Sequence, residues 1–571
     1  MCGIAGIYKK DGPITGVANI LDQLSSRGPD DRGIYETDQL TLGHVRLSII
    51  DLSSKGHQPM ESDCGRYVLV YNGEIYNFRE LREELKDSGV LFNSDTDSEV
   101  LLKLIQYEGL DAIKRLNGMY AFALLDTHEK TLTMVRDPFG IKPLYYYHKD
   151  DTLVFASQVK AFETLPDLNL SKCDRWETFF LAFGYLPAPY TTFKEVKALE
   201  RGCLLQLDLN TASLDCRRWY ELQIHENQID YSEIKEKCEN AVKRHLIADV
   251  PTGIFLSGGI DSSLLALIAS QHVKHLETLS IEFEESKFSE SYYQNIVAAK
   301  INGSHKEVLI SYSEFVNSYK ESIDQMDQPT LDGINTFYVS KAAKKQKLKV
   351  VLSGLGADEI FYGYRHHKIF PKLKYLSWLR FLFRVFALLP FNSKFKKLEY
   401  FEKKSSVTDY LGLRGVFSPS HIAKELGIDK RVVWETLLTV EPRLPKNLKL
   451  YSKKHCSFLD FEFFLAGQLL KDSDFMSMSH SLELRVPFLD KELVELAFKT
   501  SDEEKFIANY PKSMLTKPFS DLLPDEIVFR PKQGFTFPFR HWLKEIPEMK
   551  IYNISVWPRN WAVFILDLFR R

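Results

Sequence analysis

Two adjacent glycines, Gly258 and Gly259, constrain this chain more than any other feature. They follow the apolar run Ile254-Phe255-Leu256 and precede Asp261-Ser262-Ser263 and the apolar stretch from Leu264 to Ala269, a pattern that reads as strand, tight turn, helix. Paired glycines let the backbone turn without Cβ clashes and approach a ligand closely, while the free N–H groups opening the helix point at whatever sits there. An anion fits best. A turn of this kind is also an ordinary connection in α/β folds, so the glycines alone do not settle a role. The full run Ser257-Gly258-Gly259-Ile260-Asp261-Ser262-Ser263 is not a Walker A loop, because no Gly-Lys-Ser or Gly-Lys-Thr follows, and it lacks the dinucleotide fingerprint.

The surrounding residues alternate in period. The pattern predicts helices over 232–245, 262–271, 289–301, 313–325 and 335–346, and strands over 254–256, 276–283, 306–310 and 349–352. Such alternation predicts a doubly wound parallel sheet with helices on both faces and ligands at the carboxyl ends of its strands. The loop at 257–263 resembles the pyrophosphate-binding loop of the N-type ATP pyrophosphatases, which activate a substrate by adenylation. That resemblance implies an ATP site built from Leu256, Ser257, Gly258, Gly259, Asp261, Ser262, Ser263, Ile281, Ser353 and Gly354.

Strand 349–352 runs into a second glycine-rich turn, Ser353-Gly354-Leu355-Gly356-Ala357-Asp358-Glu359. Taken singly, its acidic residues read as helix caps or solvated charges, but Asp358, Glu359 and Asp261 are also of the type that holds Mg²⁺ against phosphates. Together they resemble the second nucleotide loop of the asparagine synthetases. The likeness continues through Leu470-Lys471-Asp472-Ser473-Asp474 and Glu483-Leu484-Arg485-Val486-Pro487-Phe488-Leu489-Asp490, and ends with Arg530-Pro531-Lys532-Gln533-Gly534-Phe535. It implies Asp261 and Asp358 as metal residues and Lys532 as a phosphate contact that stabilises the reacting intermediate. One departure bears on the acceptor: the family usually has an acidic residue where Leu355 stands, and an apolar side chain neither accepts a hydrogen bond nor orients an ammonium. A second is Asp327-Gln328-Pro329, where Asp-Glu-Pro is common; both departures are expected near the acceptor carboxylate.

At the other end, Met1-Cys2-Gly3 places a cysteine where loss of the initiator methionine would join a thiol and a free α-amine in one residue. An α-amine with a pKa near ~8 keeps an appreciable neutral fraction at neutral pH and can accept the thiol proton. Alternation through Ile4, Gly6 and Tyr8 predicts a strand behind it. Further on stand Arg27-Gly28-Pro29-Asp30, the run from His44 to Asp51, His57-Gln58-Pro59, Tyr71-Asn72-Gly73-Glu74 and Asp97. This set and order resemble the class II, N-terminal-nucleophile glutamine amidotransferases, and specifically the glutaminase half of the asparagine synthetase B family, over about residues 2 to 205. The resemblance implies that Cys2 attacks the glutamine amide and that Asn72 and the Gly73 N–H form the oxyanion hole. Arg46 would hold the substrate carboxylate and Asp97 its ammonium, with Leu47, Ser48, Ile49, Ile50 and Glu74 completing the pocket. The chemistry needs these types independently: donors aimed at a developing oxyanion contribute about 3 kcal/mol each, and an arginine fork suits a carboxylate. Asn72-Gly73 also reads as a type I′ hairpin turn between 67–71 and 75–76. Four further strands between 119 and 156, another over 203–209, and helices near 16–26, 78–88 and 97–108 predict an αββα sandwich.

A chain of 571 residues is too long for one core, and two domains, 2–210 and 230–571, are expected. The net charge of −3 supplies no field for nucleic acid. Seven scattered cysteines without a Cys-x-x-Cys pair favour a reducing compartment, and with no basic, apolar leader the cytoplasm is expected. The apolar stretch from Tyr375 to Phe391 carries Arg380 and Arg384, and is too short and charged for a span of about 20 apolar residues. The expected whole is a two-domain ligase using glutamine, ATP and Mg²⁺ to amidate a carboxylate acceptor through an acyl adenylate, with L-aspartate becoming L-asparagine. Internal passage of ammonia and a homodimer go with that resemblance. Two alternatives stand beside it: the same chemistry on another acid, such as a uronic-acid sugar of a surface polysaccharide, and a glutaminase-only scaffold.

Overall fold

The computed structural model describes residues 2–570 apart from 12–14, 229, 377–394, 508, 533–536, 547 and 549–556. Its amino-terminal half is strand-rich: β1 (Gly3–Lys9), β2 (Asp31–Glu36), β3 (Leu40–Arg46), β4 (Met60–Glu61), β5 (Tyr67–Ile75), β6 (Gly118–Asp126), β7 (Thr131–Arg136), β8 (Tyr145–Lys149), β9 (Thr152–Ala156), β10 (Val196–Ala198), β11 (Cys203–Asp208) and β12 (Leu214–Arg218). These make two six-stranded sheets, ordered β10-β8-β9-β1-β3-β2 and β12-β11-β7-β6-β5-β4. Neighbours within each run antiparallel, as in β1 with β3 and β5 with β6. The period of two sorts the side chains. Val68 and Val70 of β5 face Ile4 and Tyr8 of β1 between the sheets, whereas Leu69 and Tyr71 point into a separate layer with the helices. Helix Val17–Gln23 packs on the outer face of the first sheet, and helices Phe78–Asp87 and Asp97–Glu108 cover the second. The αββα sandwich read from the sequence is the observed one.

The second half builds one parallel sheet from β13 (Thr252–Phe255), β14 (Leu276–Phe283), β15 (Gly303–Ile310), β16 (Val350–Leu352) and β17 (Glu483–Arg485), ordered β15-β14-β13-β16-β17. Strands are added on one side of β13, then on the other, so the order reverses between β13 and β16. The crevice at such a reversal is where open α/β sheets bind ligands. Both glycine-rich turns leave the sheet there. Strand β17 escaped the sequence reading because three residues, two of them charged, carry no period; Glu483 and Arg485 are buried nonetheless.

The hairpin expected at Asn72-Gly73 is not formed. Both residues lie inside β5, paired with Ala121 and Tyr120 of β6. Glycine is required there by approach, not by a left-handed backbone: a Cβ on Gly73 would sit 2.3 Å from the Met119 carbonyl oxygen. Of the apolar stretch 375–391, residues 377–391 lie outside the described residues. Among the described residues no helix is long and apolar enough to cross a membrane.

Candidate active site

Cys2 precedes β1 in the sandwich core, and its backbone N–H donates to Asn72 Oδ1 at 3.0 Å. That bond fixes the amide orientation and leaves Asn72 Nδ2 buried with no partner among the described residues. A buried donor without an acceptor is costly and calls for an explanation. Burial pushes the Cys2 thiol up, and the Leu47 backbone N–H opposes it.

The remaining expected residues gather around this end of β5. Asp97 Oδ2 accepts from the Tyr71 hydroxyl at 2.6 Å and from the Ile75 N–H at 2.9 Å, and burial raises its pKa. Arg46 extends from β3, but its fork braces the following loop, donating to the carbonyls of Ser53 at 2.8 Å and Asp51 at 2.6 Å. Leu47, Ser48, Ile49 and Ile50 are buried; the Ser48 N–H donates to Asp30 at 2.8 Å. Glu74 reaches out of the sandwich to Arg485 of β17 at 3.0 Å, and burial raises its pKa well above the usual carboxylate range.

In the second half, a cavity of about 800 Å³ opens at the carboxyl ends of β13 and β16. Leu256, Ser257, Gly259, Asp261, Ser262, Ile281, Ser353 and Gly354 line it together with Asp358 and Lys532. Two of the expected ATP residues do not. Gly258 adopts φ 70° beneath the turn, its carbonyl accepting from Arg530 at 2.7 Å, and Ser263 is wholly buried. The two turns touch: a Cβ on Gly354 would lie 2.8 Å from the Asp261 Cβ.

At their junction four charges meet. Lys512 Nζ lies 2.5 Å from Asp261 Oδ1 and 2.5 Å from Asp358 Oδ1, and Lys532 Nζ is 2.7 Å from Asp358 Oδ2. Burial disfavours the Asp358 carboxylate, yet Lys512 and Lys532 hold it below the ordinary range, while Lys512 is raised by its two acids against its own burial. Two carboxylates are oxygen donors of the type Mg²⁺ takes, and Lys512 holds the point between them here. Lys512 carries no motif around it and was missed by sequence; only the fold brings it here. Residues 533–535 of the motif that contains Lys532 lie outside the described residues.

The two departures expected near an acceptor, Leu355 and Gln328, lie apart. Leu355 lines the cavity and packs on the apolar core. Asp327 and Gln328 do not line it. Asp327 accepts from the N–H groups of Val159 and Lys160 at 2.9 and 3.0 Å, and Gln328 Nε2 donates to the Tyr145 hydroxyl at 3.2 Å. Both face the sandwich because the turn at 159–164 exposes N–H groups that a buried carboxylate satisfies. The glutamine at 328 therefore says nothing about the acceptor.

The two sites are joined through side chains. Arg27 Nε donates to the Cys2 carbonyl at 3.1 Å, and its NH1 pairs with Asp474 Oδ2 at 2.8 Å. Asp474 sits on helix Leu470–Met478, which continues a π-helix over Asp460–Leu469. The Arg27 motif was visible in the sequence; its partner across the junction was not.

Comparison with known proteins gives two family matches, described as "Glutamine amidotransferase domain" over residues 1–220 and "Asparagine synthase" over 233–552. Asparagine synthetase [glutamine-hydrolyzing] 1 of Bacillus subtilis (strain 168) is 32% identical over 585 residues, covering 98% of this chain and 89% of its own length. Asparagine synthetase [glutamine-hydrolyzing] 3 of the same organism is 30% identical over 96% of this chain and 90% of its own. Asparagine synthetase B [glutamine-hydrolyzing] of Escherichia coli (strain K12) is 26% identical over 97% of this chain and 86% of its own.

Proposed function

The chain belongs to the asparagine synthase family, with a glutamine amidotransferase domain ahead of the synthase domain, and on that premise we propose that it is a glutamine-dependent, ATP-consuming ligase that amidates a carboxylate. Residues 2–210 form the glutaminase half and residues 230–571 the synthetase half. The observation that carries the reading is the paired equipment: a buried amide donor left open beside Cys2, and a cluster of two acids and two lysines at the sheet's switch point.

In the first half, the Cys2 thiolate adds to the glutamine amide carbon. Negative charge then develops on the amide oxygen, where Asn72 Nδ2 and the Gly73 N–H stabilise it. As the adduct collapses the C–N bond breaks, the nitrogen takes up a proton and leaves as ammonia, and water cleaves the thioester to glutamate. Asp97 fits the substrate ammonium and Arg46 its carboxylate, the fork exchanging loop carbonyls for the ligand. In the second half, ATP lies with its pyrophosphate over the 257–263 turn and against Lys512 and Lys532. Mg²⁺, held by Asp261 and Asp358, would neutralise phosphate charge. The acceptor carboxylate attacks the α-phosphorus and takes the adenylyl group, pyrophosphate leaves, and ammonia then displaces AMP from the acyl carbon with loss of a proton.

Relatives of this chain are named asparagine synthetases, so L-aspartate is the acceptor of the first reading. Leu355 favours a second reading, in which the same chemistry amidates a different acid such as a uronic-acid sugar, because the loop offers no group to an amino-acid ammonium. Pyrophosphate release with ATP, Mg²⁺ and glutamine, measured with L-aspartate and with D-glucuronate, separates the two. Aspartate-dependent release with asparagine formed supports the first; release with glucuronate alone supports the second; glutamate production without pyrophosphate from either defeats both.

A further inference from the structure

Leu355 leaves the acceptor end of the cavity without the acid its loop would otherwise carry, yet the amide-forming step still releases a proton. Another carboxylate lines the same cavity. Asp472, on helix Leu470–Met478, lines the cavity at 1% exposure. Its Oδ2 accepts from the Thr330 hydroxyl, which in turn accepts from Gln468 Nε2 at 3.2 Å. Its Oδ1 is buried and has no hydrogen-bond partner among the described residues. A buried carboxylate oxygen without a partner, on a residue that lines a ligand cavity, calls for an explanation.

The helix also gives it the right address. Residues two apart on an α-helix point about 200° from each other. Asp474 therefore turns to the sandwich, where Arg27 ties it to Cys2, while Asp472 turns to the nucleotide cavity.

We propose that Asp472 is the base of the amide-forming step; this rests on the ligase reading above. The nitrogen lone pair of ammonia forms the C–N bond to the acyl carbon of the adenylate. One N–H proton passes to the unpartnered Asp472 carboxylate oxygen, and the C–O bond to AMP breaks with its electron pair leaving on AMP. Asp472 later returns the proton to water. Burial raises its carboxyl to about 8, opposed by Lys471 on its own helix and by the Thr330 hydroxyl, with Asp332 of the facing turn adding to the rise. A base of that strength suits proton transfer at physiological pH.

The test uses the full chain with glutamine as nitrogen donor and L-aspartate and D-glucuronate as acceptors. Asp472→Asn should keep glutamate release and the acceptor-dependent exchange of pyrophosphate into ATP within about twofold, and lose amide formation by about 10²-fold or more. Wild-type amide formation should rise with pH to a plateau above about 8, a limb absent from the Asn variant and partly restored in Asp472→Glu. Thr330→Val, which removes the hydroxyl donor but keeps the carboxylate, should move that limb to higher pH. Its glutaminase rate reports an intact fold. Amide formation at the wild-type rate in Asp472→Asn, or an unmoved pH limb in Thr330→Val, overturns the assignment while leaving the ligase reading standing. Absence of exchange in the wild type with either acid removes the ligase reading, and the proposal with it.

Discussion

The side chain of Asn72 is divided: its oxygen is committed to the Cys2 N–H and its nitrogen is open. If that nitrogen stabilises the oxyanion, Asn72→Ala should lower glutamine hydrolysis by about 10²–10³-fold. Ammonia-driven amide formation should be unchanged, and glutamate release against amide yield separates the two effects. A second residue sets a pH dependence. Burial, reinforced by Asp358, raises Glu359 to about 7, above the ordinary value of 4.5 it regains on unfolding. The native state therefore holds a proton the unfolded chain has lost, so this contribution to stability is full below about 4.5 and falls as pH rises to about 7. Thermal midpoints of Glu359→Gln, which keeps an acceptor for the Tyr364 hydroxyl, should fall less than the wild type's between those pH values.

Element by element, much was legible because apolar periodicity and glycine chemistry act locally. Strands β13 to β16 and the helices between them follow from runs of Ile, Leu and Val that alternate with 3.6-residue patterns. Where local rules failed, a contact distant in sequence decided. Asn72-Gly73 has the composition of a hairpin turn, yet β6 pairs across it and keeps β5 extended. Lys512 joins Asp261 from 251 residues away, and no spacing rule reaches that far. The contact between the glycine-rich turns gives a prediction at this scale. Gly354→Ala drives a methyl against Asp261, a strain of about 1–3 kcal/mol, and should cut pyrophosphate exchange roughly tenfold or more. Glutaminase activity, measured on the same sample, should stay.

Across the whole molecule, buried polar pairs join the halves. Arg27 with Asp474, Glu74 with Arg485, and Asn117 with Asp490 at 3.0 Å all cross from the sandwich to the parallel sheet. None was readable in advance, because each partner alone is an ordinary charged or polar residue. Arg27→Met would leave Asp474 with Lys142 at 3.5 Å as its remaining cation among the described residues. Breaking a buried pair costs about 3–5 kcal/mol, so a lowered thermal midpoint is expected. Because Arg27 also holds the Cys2 carbonyl, more glutamate should be released per amide formed. The central claim, that glutamine hydrolysis in one half feeds amide formation in the other, is tested most directly by the Cys2→Ala variant. With ATP, Mg²⁺ and the acid that supports pyrophosphate release in the wild type, this variant should form amide from ammonium salts at close to the wild-type rate and none from glutamine. Amide formation from glutamine by Cys2→Ala, or its loss from both nitrogen sources, would contradict the account.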